Sequence, residues 1–260
     1  MGNIVIPQGK ITRGKPVDIP IFILRLDSCV YEFVRIREGD GLIGRTMVTQ
    51  SMWNEIMGYN PSDFKGNNIP VNNVSCIQIQ KFINKLTSLT SWHCGYNLLY
   101  RLMREEEYEL AAGTYANVFN DSDTIINAGL STGFGGVSIW SAENSANRPH
   151  EVALTTPNEH GLYDMYGNLW EICAQQEFYK GESISAPQRN DYDDDLAYKR
   201  AELKWKLLER HSGGFRPKIL LKGGAWNMPK ESCVRESSLE IGENDKFANA
   251  GFRLMVNIFK

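Results

Sequence analysis

No run of this 260-residue chain approaches the ~20 apolar residues that cross a bilayer. The opening MGNIVIPQGKITRGKPVDIP holds no apolar stretch of export-signal length. Gly2 follows Met1, but Ile6 stands where a myristoylation signal needs Ser or Thr. These absences predict a chain with no membrane span. It is cytoplasmic as written, and at the surface or secreted only if a signal has been cut away or an unusual export route serves it. No Cys-x-x-Cys occurs, and the five cysteines (Cys29, Cys76, Cys94, Cys173, Cys233) are odd in number and irregularly spaced. That argues against a disulfide framework and a zinc ribbon. The four histidines show no metal-ligand spacing, and the net charge of −3 gives no general pull toward nucleic acid. Phosphate-binding glycine loops and hydrolase signatures are missing too.

What is present suits a globular protein with a real core: 42% hydrophobic and 23% charged residues. IPIFILRL and CVYEFVRI read as strands, rich in β-branched and aromatic residues. A helix is predicted at about 50–57, capped by Thr49, with Met52, Trp53, Ile56 and Met57 as its apolar stripe. NPSDFKGNNIP reads as a loop. A second helix starts after Ser75, with Ile77, Phe82, Ile83, Leu86 and Leu89 on or near one face. A third short helix covers about 104–112 and ends at Gly113. ILLKGGAW, VRESSLEI and GFRLMVNIF read as closing strands.

From Thr114 to Lys180 periodicity fades. The segment carries Phe119, Phe134, Trp140, Tyr163, Tyr166, Trp170 and Phe178, too many aromatics for a disordered linker. Ordered irregular structure follows, with backbone polar groups that side chains or ions must satisfy. Its densest part is GLYDMYGNLWEI, Gly161 to Ile172. Tyr163, Met165 and Trp170 are expected in the core. LAYKRAELKWKLLERH (Leu196–His211) reads as a helix whose ends suit its dipole. It is either a docked surface helix or a partner-binding one.

Several spaced motifs occur in one order: residues 48–76 (VTQSMWNEIMGYNPSDFKGNNIPVNNVSC), YRLMREEEYELAA, WSAENSANRPHEVALTTPNEHGLYDMYGNLWEIC, LKGGAW and GFRL. Together they strongly resemble the formylglycine-generating enzyme (sulfatase-modifying factor) family. The resemblance covers nearly the whole chain from about Val30 to Leu254, except residues 181–216. It implies an α+β fold: an irregular C-type lectin-like fold with two main helices, few short strands and long ordered loops. The domain organisation expected is one domain over 1–260 with a helical insertion at about 181–216.

The resemblance also implies that the GLYDMYGNLWEI segment can wrap a structural calcium ion. The ligands would be the Asp164 side chain, the Gly167 and Leu169 carbonyls and the Glu171 carboxylate. Calcium takes six to eight oxygens, and a Gly-Asn turn can aim carbonyls inward between two carboxylates. The alternative is an ion-free turn held by Asp164 and Asn168 hydrogen bonds.

The family enzyme oxidises a cysteine of a client sulfatase, using copper(I) held by two thiolates after a GG-S-[WY] turn. Two thiolates suit that soft ion. Here the turn reads GGAWNMPKESC. Met228 stands at the first ligand position and Cys233 at the second, and Ala225 replaces the serine. The expectation is a chain without copper, a non-catalytic module that binds a protein or other macromolecular ligand on its C-terminal loop face. That face would be lined by Trp226, Asn227, Met228, Lys230, Glu231, Arg235, Asn244, Lys246 and Asn249. One alternative is a divergent copper-dependent oxidase of protein cysteine, using Cys233 with Met228 or another thiol such as Cys173. Another is a binding protein diversified by retroelement-driven mutagenesis, with Asn227, Ser232, Ser237, Ser238, Asn244 and Asn249 as positions open to adenine-directed change.

Overall fold

The computed structural model describes residues 4–5, 20–37, 41–90, 97–113, 139–179, 188–189, 198–199 and 214–259. The chain divides into two compact units, Met1–Cys173 with Ile219–Lys260, and Ala174–Lys218.

The first unit is built on a six-stranded antiparallel sheet. Its strands are β1 (Ile4–Val5), β2 (Ile21–Arg25), β3 (Val30–Val34), β4 (Leu42–Gly44), β5 (Asn97–Leu102) and β10 (Leu254–Phe259), in the order β1-β2-β3-β4-β10-β5. Alternation in β2 and β3 buries Phe22, Leu24, Tyr31 and Phe33 on one face, as a half-buried sheet requires. A four-stranded sheet has the order β8-β7-β6-β9, from β6 (Trp170–Tyr179), β7 (Gly214–Lys222), β8 (Ser238–Ile241) and β9 (Ala250–Gly251).

Helix α1 (Gln50–Met57) starts where Thr49 accepts the Met52 N–H, and ends at Gly58 with φ 81°, an αL cap. Helix α2 (Cys76–Thr90) opens with a reciprocal cap: the Gln78 N–H donates to Ser75 Oγ at 3.4 Å, and Ser75 N–H to Gln78 Oε1 at 3.1 Å. Its buried face is Ile79, Phe82, Ile83, Leu86 and Thr90. Ile77 and Leu89 are exposed, so the expected stripe holds in its middle, while Ile79 and Thr90 are buried at its ends instead. Trp53 of α1 stacks on Phe82 at 5.2 Å and meets Phe252 edge-on. Helix α3 (Glu105–Ala112) starts at Arg104, whose N–H donates to Glu107 at 2.9 Å.

Gln50, 1% exposed, organises the NPSDFKGNNIP loop by donating to the Phe64 carbonyl and accepting from Asn60 and Gly66. β6 lies inside a stretch read from sequence as irregular. Trp170, Glu171, Ile172 and Cys173 are all buried, so no alternation marks the strand. Of the helix expected over 196–211, only Tyr198 and Lys199 are described, and both are helical. The rest of that helix lies outside the described residues, as do Thr114–Ser138 and Cys94. In the second unit Arg189 sits over the Tyr198 ring at 5.9 Å. Among the described residues no helix is long and apolar enough to cross a membrane.

Candidate functional site

The segment from Gly161 to Leu169 escapes both helix and strand because its backbone turns left-handed repeatedly. Asp164, Gly167 and Asn168 have φ of 55°, 68° and 56°. Asn and Asp tolerate that region better than most residues. At Gly167 a Cβ would drive into the Trp140 carbonyl, so glycine is required on both counts.

The polar groups of the turn are met by protein. Asn168 is fully buried; its N–H donates to Trp140 O at 2.8 Å and its side chain pairs with the His150 backbone at 3.0 and 3.2 Å. Its carbonyl accepts the Trp226 N–H at 2.8 Å. The Asp164 carboxylate accepts from the Ala153 N–H at 3.0 Å and the Thr155 hydroxyl at 2.8 Å. Burial pushes its carboxyl up, against those two bonds. The Tyr108 hydroxyl donates to Met165 O. Met165 and Trp170 lie in the core, while Tyr163 is half-buried beneath the Arg45 guanidinium, 5.5 Å from its ring centroid.

Glu171 is fully buried and faces a cation from its own chain. Arg253, also 0% exposed, places Nε 3.0 Å from each Glu171 oxygen and Nη2 2.5 Å from Oε1. Its remaining donors reach the carbonyls of Gly44 at 2.9 Å and Tyr163 at 2.7 Å. Of the four residues expected to ligate calcium, both carboxylates are therefore engaged elsewhere, Glu171 by Arg253 and Asp164 by Ala153 and Thr155. Among the described residues no group of three His, Cys, Asp or Glu side chains is placed to hold a metal.

The GGAW turn needs its glycines at φ 91° and 80°, and a Cβ on Gly224 would lie 2.7 Å from Cys233 Sγ. Cys233 is fully buried beneath that turn, its thiol 3.6 Å from Ala225 O. Burial pushes the thiol up to about 11, so it stays protonated near neutral pH. Met228 packs against the cluster that contains Cys233, Met103, Tyr108 and Cys173. Burial likewise pushes Cys173 well up. Thiolate is the stronger copper(I) ligand and a neutral thioether the weaker one, and this pair presents a thioether and a buried thiol.

The candidate ligand residues fall into four groups, with Met228 apart from them. Trp226, Asn227 and Asn249 are held together: Asn249 Nδ2 donates to Asn227 Oδ1 at 3.0 Å, and Trp226 meets Phe64 edge-on at 5.6 Å. The Trp170 N–H donates to Asn249 O at 2.9 Å, so this group hangs directly on the Gly161–Ile172 turn. Lys230 and Glu231 form a single 3₁₀ turn beside Glu143, whose carboxylate accepts the Lys230 N–H. Arg235 pairs with Glu236 at 2.6 Å and donates to Gly113 O. Asn244 and Lys246 are exposed on the 242–247 loop, which meets the start of α2 through Ile77 N–H to Glu243 O. Met228 turns inward.

The cations of LKGGAW and GFRL, Lys222 and Arg253, are both buried and ion-paired, which the motifs themselves do not announce. Lys222, 1% exposed, lies 3.2 Å from both Glu105 and Glu109 on α3. The i, i+4 acids of EEEYE and a basic residue closing the apolar run ILLK were the available signal. For Arg253 the signal was a charged residue amid FRLMV, which needs a buried partner.

The sequence profile of the sulfatase-modifying factor enzyme 1-like domain matches residues 3–258. Among solved structures, variable protein 1 of Treponema denticola aligns with TM-score 0.60 and 23% identity, over 92% of this chain and 99% of that one. PvdO of Pseudomonas aeruginosa aligns with TM-score 0.51 and 17% identity, over 90% and 86%. These likenesses show the fold, the irregular α+β C type expected from the motifs. Chaperone protein LppX of Paenibacillus barcinonensis is 27% identical over 181 residues, 55% of this chain and 65% of its own length.

Proposed function

We propose that this chain, which belongs to the sulfatase-modifying factor enzyme 1-like family, is a non-catalytic member that binds a protein ligand on its loop face. The observation that carries the reading is the state of Cys233. It is sealed under Gly224 and Ala225, 0% exposed, with its thiol pushed up to about 11, and its would-be partner is Met228. The copper centre that the family resemblance implies uses two thiolates, which Met228 and a buried Cys233 do not offer. The loop face, by contrast, is built for contact. Trp226 and Phe64 offer aromatic surface, and Asn227 and Asn249 offer a paired carboxamide beside it. Recognition commonly uses loops carried on a rigid scaffold. The relative named a chaperone supports a protein as the ligand class.

The test is to incubate the reduced protein, with copper and in air, with a sulfatase-type cysteine peptide and follow the peptide by mass spectrometry. An unchanged peptide mass is expected. Conversion of the cysteine, lost in Cys233→Ala, would replace this reading with a divergent oxidase.

A second reading is a diversified binding protein. It is favoured by the placement of Asn227, Ser232, Ser237, Ser238, Asn244 and Asn249, none of which is buried. Change at these positions would alter the surface and spare the core. The neighbour named a variable protein supports it as well. The coding DNA decides: a nearby imperfect repeat of this segment, differing at adenines, is what that reading requires.

A further inference from the structure

We propose that Arg253 supplies from within the chain the positive charge that holds the Gly161–Ile172 turn, so that the fold is indifferent to calcium. This stands on the geometry of the turn and not on the binding reading. Four of the five guanidinium N–H groups have acceptors: Nε–H on Glu171, one Nη1–H on Gly44 O, and both Nη2–H on Glu171 and Tyr163 O. These acceptors come from β4, from the turn itself and from β6. Of the oxygens that a calcium ion would gather here, the Glu171 carboxylate is the one Arg253 already holds.

Charge and chemistry agree. A fully buried Glu171 needs a compensating cation, and the planar fork of Arg matches a carboxylate on two bonds. A calcium ion on Glu171 would sit against the guanidinium, two like charges in a water-poor interior. Asp164 needs no cation, since an N–H and a hydroxyl hold its two oxygens. Calcium also demands six to eight oxygens at 2.3–2.6 Å, whereas Glu171 meets nitrogen at 2.5 and 3.0 Å.

The experiment is thermal unfolding of the full chain in EDTA and in millimolar calcium chloride. The two midpoints should agree within about 1 °C. A midpoint several degrees lower in EDTA, restored by calcium in a saturable way, would overturn the proposal, because a resident ion must stabilise by mass action. A second arm compares Arg253→Met with the double variant Glu171→Gln, Arg253→Met. The single variant leaves Glu171 buried without a partner and should unfold at a lower temperature than the double variant. Equal stability of wild type and Arg253→Met would contradict the assignment. If the single variant fails to fold, the EDTA comparison on the wild-type chain decides alone.

Discussion

The backbone N–H of Trp226 donates to the carbonyl of Asn168 at 2.8 Å. This one bond ties the first residue of the candidate ligand face to the centre of the Gly161–Ile172 turn. The turn therefore sets where Trp226, Asn227 and Asn249 stand.

Replacing Asn168 tests that link. Asn168→Ala removes both side-chain bonds to the His150 backbone, leaves a part-buried N–H and carbonyl without them, and puts alanine at a φ of 56°. The expected loss is about 2–4 kcal/mol of unfolding free energy, read by urea denaturation. A loss below about 1 kcal/mol would mean that the turn does not depend on this residue.

The GGAW turn makes a steric prediction. Gly224→Ala places a methyl 2.7 Å from Cys233 Cα and Sγ at a φ of 80°. Both penalties act together, and a destabilisation of at least about 2 kcal/mol is expected. Gly58→Ala, with φ 81° and nothing within 4 Å, carries only the backbone penalty and should cost about 1 kcal/mol. Comparison of the two by thermal melting separates crowding from conformation.

How much of this was legible beforehand depends on how local each cause is. Thr49 and Ser75 announce their helices because a cap acts within three residues. The strand β6 gave no sign, since Trp170 to Cys173 is buried on both faces and shows no alternation. The exposure of Leu89 on α2 has a similar origin: it is as apolar as Leu86, and only the neighbours in space leave it exposed, whereas Ile77 lies off the buried face by the helical period itself. The candidate residues of the loop face were named from motif position. That Asn227 meets Asn249 while Arg235 turns to Gly113 depends on contacts across 22 and 122 residues. The Arg253–Glu171 pair spans 82 residues, beyond the reach of any local pattern.

Acid should expose one ion-pair network. Burial works against the Glu107 charge, but hydrogen bonds from Arg101 and Arg104 outweigh it and lower the carboxyl from 4.5 to about 2. The folded value lies below the unfolded one, so this contribution is complete above about 4.5 and is lost as pH falls toward about 2. After allowance for solvent screening it is on the order of 1–2 kcal/mol. Glu107→Gln should flatten the stability profile in that window and leave its shape near neutral pH unchanged.

The thiols offer a chemical check. Cys173 and Cys233 are buried and their pKa values are raised. Iodoacetamide at neutral pH should leave both unmodified in the folded chain and label them on unfolding. Peptide mapping reads each site separately. Rapid labelling of Cys233 in the folded state would show an accessible thiolate there.

Anaerobic titration of the reduced chain with copper(I), against a competing chelator and with Cys233→Ala as control, tests the non-catalytic reading most directly. The account predicts no stoichiometric site and the same weak uptake in both proteins. Tight, one-to-one binding that vanishes with Cys233 would contradict it and restore the copper centre to this scaffold.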